Sequence, residues 1–325
     1  MKWTWLTTAF VLIVQCYFAQ DGPFAPAAEE PGSTAIHADS NLFVQWASSA
    51  VMSRGWQDIA DTTLGLADVG DSSSCLGPAG TNGIISLGDG GEIILEFDGY
   101  IYDGPGSDFA VFENSFSDDY LELAFVEVSS DGENYFPFNA SSLTQSDSQI
   151  GPFGNLDPTY IYNLAGKYRG LYGTPFDLNE LDGVLGLNIN EISHVRIKDV
   201  IGAISGDYIS YDSQGNAIND PYPTAFSSSG FDLDAVGAIH WSQATDISKT
   251  EDASFSVYPN PFRDKLQFSI AEDLPLIEVY NTMGLRIYEK KNVFPGLLQI
   301  DTEVWDKGLY IIQINKNRTY SLIKI

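Results

Sequence analysis

Six carboxylates carry most of the chemistry that can be read from this chain: Asp103, Asp108, Glu113, Asp199, Asp232 and Asp234. Asp232 and Asp234 are two residues apart within 231–236, so an extended backbone turns both to one face, about 6.5–7 Å apart. Such a pair can flank a cation, but calcium takes about six to eight oxygens, often from several loops. Asp103 and Asp108 bracket a Gly-Pro-Gly-Ser loop, Glu113 closes an apolar run and Asp199 ends another, so these four are candidates for the remaining ligands. Oxygen donors without paired Cys or clustered His favour a hard cation over zinc. The D-x-[DN]-x-[DN]-G spacing of an EF-hand is absent. Carboxylates gathered without a cation repel one another and raise each other's pKa. The competing explanation is a set of solvated loop acids.

The elements that must position these groups centre on residues 83–116. Ile93, Leu95 and Phe97 alternate with Glu92, Ile94 and Glu96, the period of a half-buried strand. Phe109, Val111 and Glu113 share one face of a second strand, opposite Asp108, Ala110 and Phe112. Phe125–Ser129, an Asp131-Gly132 turn and Tyr135–Phe138 read as a hairpin. Further strands are expected at 194–200 and 231–240. The spacing of Leu42, Phe43, Trp46, Ala50 and Val51 predicts a short helix or helical turn within 41–56, ending at Gly55. From 141 to 186 the periodicity fades and Gly, Pro, Asn and Tyr accumulate, as in packed loops or a functional surface.

That stretch supplies the second set of candidate residues. Tyr160, Tyr162, Tyr168 and Tyr172 surround Lys167 and Arg169, two of only six basic residues between 21 and 252. An exposed rim of this kind can stack on a sugar ring and hydrogen-bond its substituents, or engage a peptide. The plainer reading is that the two cations neutralise nearby carboxylates.

Charge divides the chain. Residues 21–252 hold 36 acidic and 6 basic residues, whereas 253–325 hold 8 and 9. The acidic part argues against nucleic acid or anionic lipid as partners. Residues 1–20 have a lysine followed by a short apolar run, as in a secretory signal peptide, with Cys16 offering a lipoprotein alternative. Without Cys16 only Cys75 remains, so no internal disulfide is expected. No later segment approaches the roughly 20 apolar residues of a membrane-spanning helix. The histidines (His37, His194, His240) and the serines form no H-E-x-x-H or G-x-S-x-G signature. A hydrolase of extracellular polysaccharide or protein, resting on dispersed carboxylates, stays open as the alternative to a binding module.

Val257-Tyr-Pro-Asn-Pro261, Val279-Tyr-Asn followed by Gly284, Lys307-Gly-Leu-Tyr-Ile311 and the terminal Leu322-Ile-Lys-Ile325 resemble the type IX secretion C-terminal sorting domain, type A. The resemblance implies a small Ig-like sandwich over 253–325, the secretion machinery as partner, and a secreted or outer-surface location. Ser86-Leu-Gly with Gly90-Gly91, Asp103–Asn114, Val126–Gly132, Ala165–Gly170 and Gly230–Val236 together resemble a poorly characterised family of bacterial cell-surface proteins. More loosely they are similar to the galactose-binding-like (discoidin-type) jelly roll, which implies a β-sandwich with long loops, calcium and a glycan or surface ligand. The expected organisation is all-β: a signal peptide at 1–20, an acidic sandwich at 21–242, a polar linker at 243–252 and the sorting domain at 253–325. The expected activity is calcium-assisted binding or adhesion.

Overall fold

The computed structural model describes residues 22–243, 255–271, 273–315 and 318–325. The expected signal peptide and most of the expected linker lie outside them. The chain forms two compact units, residues 1–244 and 245–325. Both are built from antiparallel strands, and the only helical elements among the described residues are 3-10 turns at Thr62–Leu64, Pro158–Tyr160 and Leu178–Leu181.

In the first unit two sheets face each other. One runs in the order Ile36–His37, Tyr172–Phe176, Phe109–Glu113, Asp232–Ala238, Gln45–Trp46, with Ile85–Ser86 also paired to Asp232–Ala238. The other runs Trp241–Gln243, Glu92–Ile101, Ile192–Asp199, Ala124–Ser129, Phe136–Pro137, with Ser49–Ser53 also paired to Glu92–Ile101. Successive long strands alternate between sheets: Glu92–Ile101 lies in the second, Phe109–Glu113 in the first and Ala124–Ser129 in the second. Tyr172–Phe176, Ile192–Asp199 and Asp232–Ala238 continue the alternation, giving the crossing pattern of a jelly roll.

Alternation within each strand sets the core. Ile93, Leu95, Val126, Val128, Val195 and Ile197 meet Phe109, Val111, Phe176, Leu233 and Val236 in one buried cluster. Each such side chain contributes about 1.5–3 kcal/mol on burial. The opposite face of the first sheet carries Ala110, Phe112 and Ala235, covered by Phe43 and Trp46. The hairpin forms as the Asp-Gly turn dictates, with Val128 opposite Phe136. Asp131 accepts the amides of Glu133 and Asn134, both at 2.8 Å, which closes the turn.

The helix expected at 41–56 is replaced by the strands Gln45–Trp46 and Ser49–Ser53. The chain here steps from one sheet to the other: Ala47 donates to Val236 of the first and Ser48 to Glu96 of the second. Trp46 and Phe43 cover an outer face while Ala50 and Met52 pack on the core, so the apolar spacing reflects a change of sheet and not a helical stripe.

The second unit packs a three-stranded sheet (Phe255–Tyr258, Lys265–Ile270, Gly296–Asp301) with a four-stranded one (Arg286–Val293, Leu274–Asn281, Gly308–Ile314, Arg318–Lys324). Leu266, Phe268, Ile277, Val279, Ile312 and Ile314 fill the space between them, as expected of a small Ig-like sandwich. The terminal residues are pinned by reciprocal bonds: Phe262 donates to Ile323 and Ile325 donates to Phe262.

Candidate metal centre

Glu113 and Asp232 come together because adjacent strands bring them there: Leu233 pairs with Glu113, and Asp232 precedes it. Three further acids reach the same end of the sandwich. Asp199 ends the strand Ile192–Asp199, Glu122 lies just ahead of Ala124–Ser129, and Asp220 sits on the loop leading to Asp232–Ala238. Asp89, on the Gly88–Gly91 turn, adds a sixth. Glu113, Asp199 and Asp220 are buried, as are Asp89 and, at 9% exposure, Glu122.

Backbone amides hold several of these groups in place. Asp199 accepts Phe231 N–H at 2.8 Å on one oxygen and Gly90 N–H at 3.0 Å on the other. A side chain at Gly230 would strike Asp199 Oδ1 and the Gly88 backbone, and its φ of +69° also requires glycine. Glu113 Oε2 accepts Ser115 N–H at 2.7 Å, Asp220 Oδ2 accepts Leu123 N–H at 3.0 Å, and Asp89 Oδ2 accepts Ile59 N–H at 2.9 Å. Asp232 accepts the Ser86 hydroxyl. Asp220 Oδ1 is buried with no hydrogen-bond partner among the described residues.

Burial pushes every member up, and for all but Asp232 neighbouring carboxylates push further. Asp199 rises to about 8 through desolvation and then the Asp89 and Asp232 charges. Asp89 rises to about 6 through desolvation and the Asp58 charge, and Asp232 rises to about 6 through desolvation. Glu113 rises well above the carboxylate range by burial first and then the Asp232 and Asp220 charges, and Glu122 by burial first and then the charges of Glu113, Asp232, Asp220 and Asp199. Asp220 rises well above it by burial and the charges of Asp199 and Asp89. None of the groups shifting these six is cationic. Uncompensated buried charge is strongly destabilising, so the centre is chemically complete only with protons or a cation. Oxygen donors suit a hard cation such as calcium, but among the described residues no three of these six carboxylates bring oxygens within 4.8 Å of one another, as Asp103, Asp108 and Asp177 do.

The six carboxylates singled out from the sequence do not form one group. Glu113, Asp199 and Asp232 belong to this centre. Asp103 and Asp108 lie beyond the other end of the strand Phe109–Glu113, and Asp108 is about 17 Å from Glu113 at the rise of an extended chain. There the carboxylates of Asp103, Asp108 and Asp177 approach within 4.8 Å. Asp108 is already committed: it accepts Gly104 N–H, Leu178 N–H and bonds His240 Nδ1 at 2.7 Å, tying together three segments. Asp234 accepts the Gly80 amide at 2.8 Å, because a bulge between Leu233 and Ala235 shifts its register. Glu122, Asp220 and Asp89 are not among the residues the sequence singles out. The signal available for Asp220 was its place before the loop that leads into Asp232.

The aromatic and cationic set serves the chain itself. Tyr168 and Lys167 are buried, in place of the exposed rim expected: Tyr168 bonds the Thr34 hydroxyl at 2.8 Å, and Lys167 donates to Ile161 O at 2.8 Å. Burial lowers Lys167 to about 8. Arg169 bonds Glu29 and Asp118 and lies 4.7 Å over the Tyr172 ring, whose hydroxyl also holds Glu29. Tyr162 stacks on Phe24 and bonds Glu180. Tyr160 closes the 3-10 turn Pro158–Tyr160. Through Glu29, Phe24, Thr34 and His37 the group clamps residues 22–37 onto the domain, while Lys167 faces Asp157 and Ile161 O instead.

Residues 256–325 match the family described as Secretion system C-terminal sorting domain. The second unit is a type IX sorting domain. It directs the chain to the cell surface or the extracellular space, with the type IX secretion machinery as its partner. No helix among the described residues is long and apolar enough to cross a membrane. No curated protein matches the chain. Among solved structures the chain is similar to β-glucuronidases of Parabacteroides merdae (11% identity, TM-score 0.21) and Ruminococcus gnavus (10%, 0.20), over 86% of its length in both cases. It spans 35% and 42% of those chains, respectively. A glycosyl hydrolase family 2 member of Bacteroides cellulosilyticus matches at 11% identity and a TM-score of 0.19, covering 86% of this chain and 35% of that one.

Proposed function

We propose that the first unit is a calcium-dependent binding module of the galactose-binding-like type, exported by the sorting domain to act on an extracellular polymer. Glu113, Glu122, Asp220 and Asp232 would hold the ion, while Asp199 and Asp89 brace the loops around it through backbone amides. The observation that carries this reading is Asp220 Oδ1, a buried carboxylate oxygen without a hydrogen-bond partner among acids that no cationic side chain offsets. Calcium suits the donor set better than magnesium, which demands near-octahedral geometry and keeps several waters.

Calorimetric titration of the full chain with calcium tests the proposal. Wild type should bind calcium in preference to magnesium, and Asp220→Asn with Glu122→Gln should abolish the heat while the protein stays folded. Absence of calcium binding by folded wild type would remove the basis for a metal centre.

A further inference from the structure

We propose that Phe116, Phe153 and Phe226 form the ligand-contacting surface of the first unit, and that they receive the ring faces of a neutral polysaccharide. The inference rests on the calcium reading only for its metal dependence; the surface itself has independent support. Phe116 is 86% exposed, Phe153 74% and Phe226 42%. Phe153 and Phe226 face each other with ring centroids 5.7 Å apart and an interplanar angle of 35°. Large apolar rings held in water at loop tips mark a contact surface when they come grouped.

The acidic centre anchors the loops that carry them. Phe116 lies between Glu113 and Glu122, on a loop closed where Glu113 accepts Ser115 N–H and the Ser115 hydroxyl donates to Ser117 O and Tyr120 O. Phe226 lies between Asp220 and Asp232; Asp199 accepts Phe231 N–H, and Ser229 Oγ donates to Trp56 O at 2.9 Å. The Phe153 loop is tied to the residue before Asp220, since Asn219 Oδ1 accepts Ile150 N–H at 2.9 Å. Tyr120 then joins the first and third loops by donating to Pro152 O at 3.3 Å. A cation in the centre therefore sets the positions of all three rings without touching what they bind.

The loop composition selects the ligand. Segments 114–123, 141–157 and 200–230 contain no lysine or arginine. An anionic polymer or anionic lipid would find no counter-charge on them, and a second copy of this acidic unit would be repelled. Phenylalanine offers only a ring face, which matches the apolar C–H face of a pyranose. The same loops carry uncharged hydroxyl and amide residues, among them Ser227, whose groups can hydrogen-bond neutral hydroxyls.

The test uses the full chain on immobilised cellulose, mannan and xylan, with alginate, phosphatidylcholine vesicles and sedimentation as comparisons, in calcium and in chelator. Wild type should be retained on at least one neutral polysaccharide in calcium. Phe153→Ala with Phe226→Ala should weaken that retention about tenfold while leaving the calcium-induced rise in Tm unchanged, because the rings are exposed. Undiminished retention by this variant overturns the proposal. So does binding to none of the three neutral polymers, or binding only to alginate, to vesicles or to a second copy. If phenylalanine-dependent retention persists while calcium leaves Tm unmoved, the metal reading fails and the surface stands.

Discussion

If the acidic centre holds calcium as proposed, removing it should reverse the pH dependence of stability of the first unit between about pH 5 and 7.5. In the unfolded chain Asp199 and Asp89 lose their protons near 3.8, whereas in the fold they hold them to about 8 and about 6. A carboxyl with a raised folded pKa favours the folded state at low pH, and that advantage drains away as pH climbs from the unfolded to the folded value. Each unit of pH within that interval is worth about 1.4 kcal/mol. From pH 5 to 7.5 Asp89 loses its remaining unit and Asp199 loses 2.5, together about 5 kcal/mol. That is a large share of the roughly 5–15 kcal/mol that holds a domain folded. It corresponds to a fall in Tm of about 10–20 °C for a unit of this size. Glu113, Glu122, Asp220 and Asp232 act in the same direction. With calcium present the same carboxylates bind the ion better as they ionise, and a hundredfold excess over Kd returns about 2.7 kcal/mol. Scanning calorimetry of the full chain in chelator should show the first unit's transition falling with pH, and in calcium holding level or rising. Superimposed curves, or a chelated Tm that climbs with pH, would refute the reasoning.

Three further outcomes follow from separate contacts. Arg169→Ala removes both ion pairs and the ring contact that clamp the arm, so trypsin-independent proteases such as subtilisin should clip residues 22–37 first while the sandwich stays intact by mass. Burial raises Cys75 to about 12, leaving about one thiolate in ten thousand at pH 8. Iodoacetamide should therefore label it only after urea unfolding, and rapid labelling of native protein would contradict its buried place. In the sorting domain the Lys324 ammonium is buried and donates to Thr302 O and to Glu303 O at 3.3 Å. Lys324→Met strands both carbonyls and should cost about 1–3 kcal/mol, read as an earlier melting of that unit alone.

The strands were legible where one face is buried and the period is unbroken. Ile93, Leu95 and Phe97 point inward as their spacing requires, and the Asp131-Gly132 turn fixes its hairpin. Tyr172–Phe176 was hidden because Gly173 and Pro175 suppress the strand pattern, although the strand sits between Ile36–His37 and Phe109–Glu113. The false helix at 41–56 has a related cause. A chain that changes sheets in mid-course presents apolar residues to two different surfaces, and their combined spacing imitates a helical stripe.

The acidic centre was half legible for a reason rooted in register. Neighbouring strands carry Glu113 and Asp232 to one place, and sequence can anticipate that once both strands are recognised. The pairing of Asp232 with Asp234 assumed an unbroken strand; Asp232 pairs in register with Ser86 and accepts its hydroxyl, while the bulge after Leu233 turns Asp234 to Gly80 instead. Glu122 and Asp220 reach the centre through loops, where no periodicity constrains which way a residue faces. Their burial is what separates a metal centre from solvated acids, and burial at a loop is decided by packing between distant segments. Leu121, Leu123, Val200 and Ile218 form that packing around them. Those four apolar residues are scattered over about a hundred positions of sequence, so the dry wall that makes the carboxylates costly emerges only when the sandwich closes. The same closure leaves Asp220 Oδ1 buried with no hydrogen-bond partner among the described residues, the feature on which the proposed cation rests.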